Sequence, residues 1–139
     1  MGESTSAVVE RMGGIGVLLC PDEGPVLRGD RGALDVIGDA FGAGAAWAAV
    51  PVERLHPDFF RLRTGVAGEF VQKFAQYGVG LAVVGDIAAQ VDSSDALRDL
   101  IRESNRGNGF WFVTDLDELR ARMNRGKPAA DAGGTEDDR

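Results

Sequence analysis

Short apolar runs alternate along this chain with segments in which apolar residues recur at every third or fourth position. That alternation constrains the fold more than any other feature. A strand, a covering helix and a second parallel strand bury the apolar run on both faces, so such runs carry little polar alternation of their own. Segments 7–12 and 15–20 flank Gly13-Gly14 and read as a β-hairpin. Further strands are expected at 47–52, 79–84 and Phe110–Val113. Leu34, Ile37 and Phe41 place a helix at 31–41, stopped by Gly42 and Gly44. Phe59, Leu62, Val66, Phe70, Phe74 and Tyr77 are spaced 3, 4, 4, 4 and 3, which predicts one continuous helix ended by Gly78. Ser93 or Ser94 caps a helix bearing Leu97, Leu100 and Ile101 that ends near Gly107. Asp115 and Glu118 form a capping box that opens a helix with Leu116, Leu119 and Met123. The order is ββαβαβαβα: an α/β fold, with a mostly parallel mixed sheet, an N-terminal antiparallel hairpin edge and helices packed on it.

At 139 residues the chain has room for one domain, expected at 7–123, with disordered termini at 1–6 and 124–139. The formal net charge of -7 opposes a broad phosphate-binding surface, so no nucleic-acid partner is expected. Cys20 and His56 are each the sole residue of their type. An internal disulfide, a cysteine zinc site and any two-histidine metal site are therefore excluded, and the sequence calls for no metal or cofactor. There is no apolar run of about 18 residues and no secretory leader, so a cytoplasmic protein without a membrane partner is expected.

Three places could carry function. The first is the start of the long helix, where Gly65 and Gly68 interrupt a helical pattern and share a smooth stripe with Gln72. Each glycine costs about 0.5–1 kcal/mol relative to alanine. Either tight packing on the sheet or close approach of a partner would offset that cost. The second is the carboxyl edge of the sheet, where ligands settle at a topological switch point. Asp86 directly follows a buried strand there; it can hold a cation, move a proton or simply turn the backbone. The third is Arg102-Glu103-Ser104-Asn105-Arg106-Gly107, a polar run at a helix end. Arginine near the dipole's negative pole and an αL exit through Asn or Gly explain part of it. His56 reads as a loop residue, Cys20 as an inert thiol, and Trp47 and Trp111 as core.

The stretches from Asp58 to Phe74, Val83-Val84-Gly85-Asp86 and Glu103-Ser104-Asn105-Arg106-Gly107 resemble the bacterial family called domain of unknown function 4180. The resemblance covers roughly residues 8–123 and implies no activity, since the family is uncharacterised. More distantly, the element order is similar to that of the STAS domain, the sulfate-transporter and anti-sigma-factor-antagonist fold. That likeness is architectural; the Asp-Ser-Ser-Gly-like signature is absent. It implies a Ser or Thr near the start of the second helix that accepts a phosphate and gates partner binding, and Thr64 falls near that position. A phosphate there would meet a helix N-terminus with Arg61 and Arg63 beside it.

Two readings follow. In the first, the domain is a non-enzymatic regulatory module that docks a protein partner or a second copy of itself through the second helix. In the second, Arg61, Arg63, Glu69, Asp86, Glu103, Asn105 and Arg106 converge at the strand ends to bind or transform a small anionic molecule. No catalytic set is legible.

Overall fold

The structure is a computed structural model and describes residues 8–126. The expectations for residues 1–7 and 127–139 lie outside those residues. Strands β1 (Val8–Met12) and β2 (Ile15–Leu19) form the expected hairpin, with φ of 59° at Gly13 and 84° at Gly14. Both turn positions need positive φ, which glycine supplies at no steric cost. A side chain at Gly13 would also collide with the backbone carbonyl of Met123. The chain continues through α1 (Gly29–Ala43), β3 (Trp47–Pro51), α2 (Val66–Tyr77), β4 (Gly80–Val84), α3 (Ala88–Asp92), α4 (Asp95–Arg106), β5 (Phe110–Val113) and α5 (Leu116–Gly126).

The fold is α/β, with one five-stranded mixed sheet in the order β1-β2-β3-β4-β5. Only the β1–β2 pair is antiparallel; β2 through β5 run parallel. Because each parallel strand is added beside its predecessor, right-handed crossovers place successive helices on the same face. One core accordingly joins Leu18, Ala48, Val50, Leu81 and Val83 to Val36 and Ile37 of α1, Phe70 and Phe74 of α2, and Leu97 of α4. The opposite face packs Val17, Trp47, Ala49, Ala82 and Trp111 against Leu119 and Met123 of α5. Trp47 and Trp111 are core residues, as expected, with ring centroids 4.6 Å apart. A strand order that never reverses has no switch point, so the expected ligand crevice does not arise in that form.

The helix expected to run unbroken from Phe59 to Tyr77 is instead three elements. Pro57–Phe60 and Leu62–Thr64 are 3₁₀ turns, Gly65 sits in the left-handed region at φ 79°, and α2 begins at Val66. The apolar spacing persists because the 3₁₀ turns still bury Phe59 and Phe60. Gly65 therefore lies outside the helix, and only Gly68 carries the helical cost. In α1 the buried residues are Gly32, Ala33, Val36, Ile37 and Ala40, while Leu34 and Phe41 are 41% and 56% exposed. Of the three periodic residues, only Ile37 is buried; Leu34 and Phe41 mark the helix's flank, because small residues fill much of its buried centre. Gly107 leaves α4 in an extended conformation, not αL. The last helix continues past Met123 to Gly126.

α5 is tied to the hairpin by Arg120, whose Nε and Nη2 donate to Glu10 at 2.6 and 3.0 Å. Those hydrogen bonds hold the Glu10 carboxyl below its ordinary pKa, against the opposing pull of desolvation. A depressed pKa stabilises the fold above the unfolded carboxylate value, and that contribution is lost as pH falls through the folded value. Glu10→Gln is expected to flatten this part of the acid limb in urea melts taken below about pH 5; an unchanged limb contradicts it.

Candidate functional site

The polar residues singled out from the sequence fall into separate groups, and most have a structural partner. Thr64, the last residue of the second 3₁₀ turn, has its hydroxyl 2.9 and 2.8 Å from the carbonyls of Asp58 and Arg61. The same oxygen accepts from Val66 N at 3.2 Å. This hydroxyl locks the entry to α2. Asp86 Oδ1 accepts from Ala88 N at 2.9 Å and turns the chain into α3. Asp115 Oδ1 accepts from Glu118 N, and Glu118 Oε1 accepts from both the amide and hydroxyl of Thr114, each at 2.8 Å. His56 Nδ1 accepts from Asp58 N at 3.1 Å, the work of a turn residue.

Asn105 has a specific task. Gly109 and Val113 carbonyls bond β4, so the Phe112 amide faces the free side of edge strand β5. The Asn105 carboxamide meets it there: Oδ1 accepts from Phe112 N at 2.8 Å, and Nδ2 donates to Phe112 O at 3.2 Å. A side-chain amide thus stands in for a sixth strand and shields the edge. Arg122 of α5 donates to the Asn105 carbonyl and lies 4.0 Å from the Trp111 ring centroid. Trp111 Nε1 in turn donates to Gly107 O at 2.8 Å. Glu103 pairs loosely with Arg106 at 3.5 Å.

Three clefts border these groups. At the carboxyl ends of the strands, on the α5 side, a cleft of about 310 Å³ is lined by Asp22, Glu53, Pro51, Thr114 and Asp115. Asp86 is not among its lining residues. At the amino ends, between α2 and α4, a cleft of about 530 Å³ has apolar walls of Val71, Phe74, Leu81 and Phe110 with Glu103 and Ser104 on its border. A third, also about 530 Å³, lies where the loop before α2 meets the start of α4, lined by Phe60, Arg61, Leu62, Arg63, Thr64, Ser93, Ser94 and Ala96. The set Arg61, Arg63, Glu69, Asp86, Glu103, Asn105 and Arg106 is therefore divided. Arg61 and Arg63 share one cleft, and Glu103 borders another. Among the described residues no group of three or more His, Cys, Asp or Glu side chains is placed to hold a metal. No helix there is long and apolar enough to cross a membrane.

The outer side of α2 is open. Gly65, Gly68, Glu69 and Gln72 are exposed, and a Cβ at Gly68 would meet no heavy atom within 4 Å. Packing on the sheet does not account for Gly68. On the side of α2 that faces α1, Tyr77 is 44% exposed and meets Phe41 edge-on, with centroids 6.3 Å apart.

Arg54 and Arg122 carry no readable signal in the sequence. Arg54 donates to the carbonyls of Pro21, Glu23 and Pro25 and so seats the loop after β2. Its partners lie about thirty residues away, beyond any local periodicity. Cys20, half-buried at the start of that loop, has its pKa pushed up to about 11 by burial, which nearby Arg54 only partly offsets. Its reaction with a disulfide reagent at about pH 8 is expected to run roughly a hundredfold slower than that of free cysteine. A rate near the free value would contradict this burial.

A mixed five-stranded α/β sheet with sequential strand order defines the structural class. Within it, the chain belongs to the family described as "Domain of unknown function (DUF4180)", which matches residues 12–123. No curated protein and no solved structure matches the chain.

Proposed function

We propose that this domain is a non-enzymatic interaction module that docks a protein partner or a second copy of itself through α2 and its seam with α1. The observation that carries this is the exposed apolar set along the seam of the two helices. Leu34, Phe41 and Tyr77 are 41%, 56% and 44% exposed there, and the edge-on contact of Phe41 with Tyr77 makes a continuous apolar surface of the kind that marks an interaction site. Gly68 leaves the outward flank of α2, away from this seam, smooth enough for close approach. Three of the polar residues singled out from the sequence, Thr64, Asp86 and Asn105, are engaged in holding the fold.

Gly68→Arg separates docking from folding. It removes a helix-interior glycine, which favours the folded state by up to about 1 kcal/mol, yet it places a long charged side chain on the docking flank. Native mass spectrometry of protein purified from its own cells should show a dimer or a captured protein for the wild type. The variant should be a monomer with an undiminished melting temperature. A wild-type monomer, or an assembly indifferent to Gly68→Arg, overturns the proposal.

A further inference from the structure

The cleft before α2 differs in charge from its neighbours. The carboxyl-end cleft presents Asp22, Glu53 and Asp115, and the cleft between α2 and α4 presents Glu103. A fourth, beside the loop after β2, mixes Glu23, Asp35 and Asp39 with Arg28, Arg31 and Arg54. Only the Arg61–Arg63 cleft, of these four, has arginines and hydroxyls in its lining and no carboxylate. In a chain of net charge -7 this lining carries two cations and no anion.

Arg61 contacts Asp58 at 3.4 Å while remaining 71% exposed, and Arg63 pairs with no carboxylate among the described residues. Ser94 Oγ accepts from Leu97 N at 3.0 Å, leaving its hydroxyl proton to donate. Asp95, the nearest acid along α4, is engaged by Arg98 at 2.9 Å. Phe60, Leu62 and Ala96 complete the lining with apolar surface.

We infer that this cleft binds a phosphate monoester, with Arg61 and Arg63 gripping the phosphate oxygens and the apolar wall receiving the group the phosphate is attached to. Two guanidinium forks match a near-dianionic group with three acceptor oxygens better than a single carboxylate. The volume of about 530 Å³ suits a small molecule or one phosphorylated side chain. The phosphate is the ligand's own; the Thr64 hydroxyl is held by the carbonyls of Asp58 and Arg61. This inference stands apart from docking through α2, since it concerns different residues and a different readout.

The test is titration of the isotopically labelled protein with phenyl phosphate, followed by amide chemical shifts. Concentrations should reach about 10 mM, ten times the roughly 1 mM dissociation constant expected of an exposed two-arginine site. Shifts are expected at residues 61–66 and 93–97, with affinity weakened about tenfold in Arg63→Ala and further in the double variant with Arg61→Ala. Both substituted side chains are exposed, so the variant spectra should otherwise match the wild type. Inorganic phosphate should bind more weakly than phenyl phosphate, because it leaves the apolar wall unused. A phosphoserine peptide that outcompetes phenyl phosphate assigns the phosphate to a protein, and the reverse assigns it to a metabolite. Absence of shifts at these residues overturns the inference, as does affinity unchanged in Arg63→Ala or benzoate binding as tightly as phenyl phosphate.

Discussion

Gly80→Ala is expected to destabilise the protein by about 3 kcal/mol, near the upper end for an overpacked core site. Gly80 begins β4, directly opposite Trp47 in the register. A Cβ there would overlap the Trp47 indole, which is only 2% exposed and packed at a tilt against Trp111. The indole cannot swing aside without disturbing Trp111, whose Nε1 is bonded to Gly107 and whose face carries Arg122. Urea melts followed by tryptophan fluorescence should show the loss, which corresponds to a fall in melting temperature of roughly 10 °C for a domain of this size. Gly38→Ala, where a Cβ meets nothing within 4 Å, serves as the helical control and should be neutral or stabilising. Replacing Trp47 with Leu should make Gly80→Ala much less costly, the signature of a direct pairwise clash. A Gly80→Ala loss below about 1 kcal/mol would mean that the indole has room the packing does not show.

The second large effect belongs to Asn105→Ala, expected to cost about 2 kcal/mol through loss of two hydrogen bonds to the Phe112 backbone. Asn105→Asp keeps an acceptor for the Phe112 amide but sets a carboxylate oxygen against its carbonyl, so it should recover less than half of the loss. Hydrogen exchange at the Phe112 amide should quicken in both variants. The bared β5 edge should also raise concentration-dependent aggregation, because unpaired strand groups template pairing with other chains. If Asn105→Ala leaves both stability and Phe112 exchange unchanged, the carboxamide is not what shields this edge.

The Glu103-Ser104-Asn105 run shows why site reading from sequence stops where it does. Its polarity is plain in the sequence, and a helix end explains only part of it. What Asn105 does depends on a strand seven residues away, brought alongside by the tight connection after α4. The same holds for Thr64, whose neighbourhood at the start of the second helix was legible but whose hydroxyl partners were not. The long apolar stripe from Phe59 to Tyr77 reads as one helix because 3₁₀ turns and an α-helix can bury the same residues. Only the left-handed Gly65 separates them, and glycine at that position is also compatible with a helix interior.

The α/β class, the hairpin through Gly13-Gly14, the two core tryptophans and the existence of each principal helix followed from the sequence, because apolar periodicity and turn chemistry act between residues close in the chain. The order of the strands, the burial of each face of α1, the division of the polar residues among separate clefts and the charge of the Arg61–Arg63 cleft were decided by the tertiary structure. Those properties depend on how one element lies beside another, and packing between distant segments leaves no period along the chain.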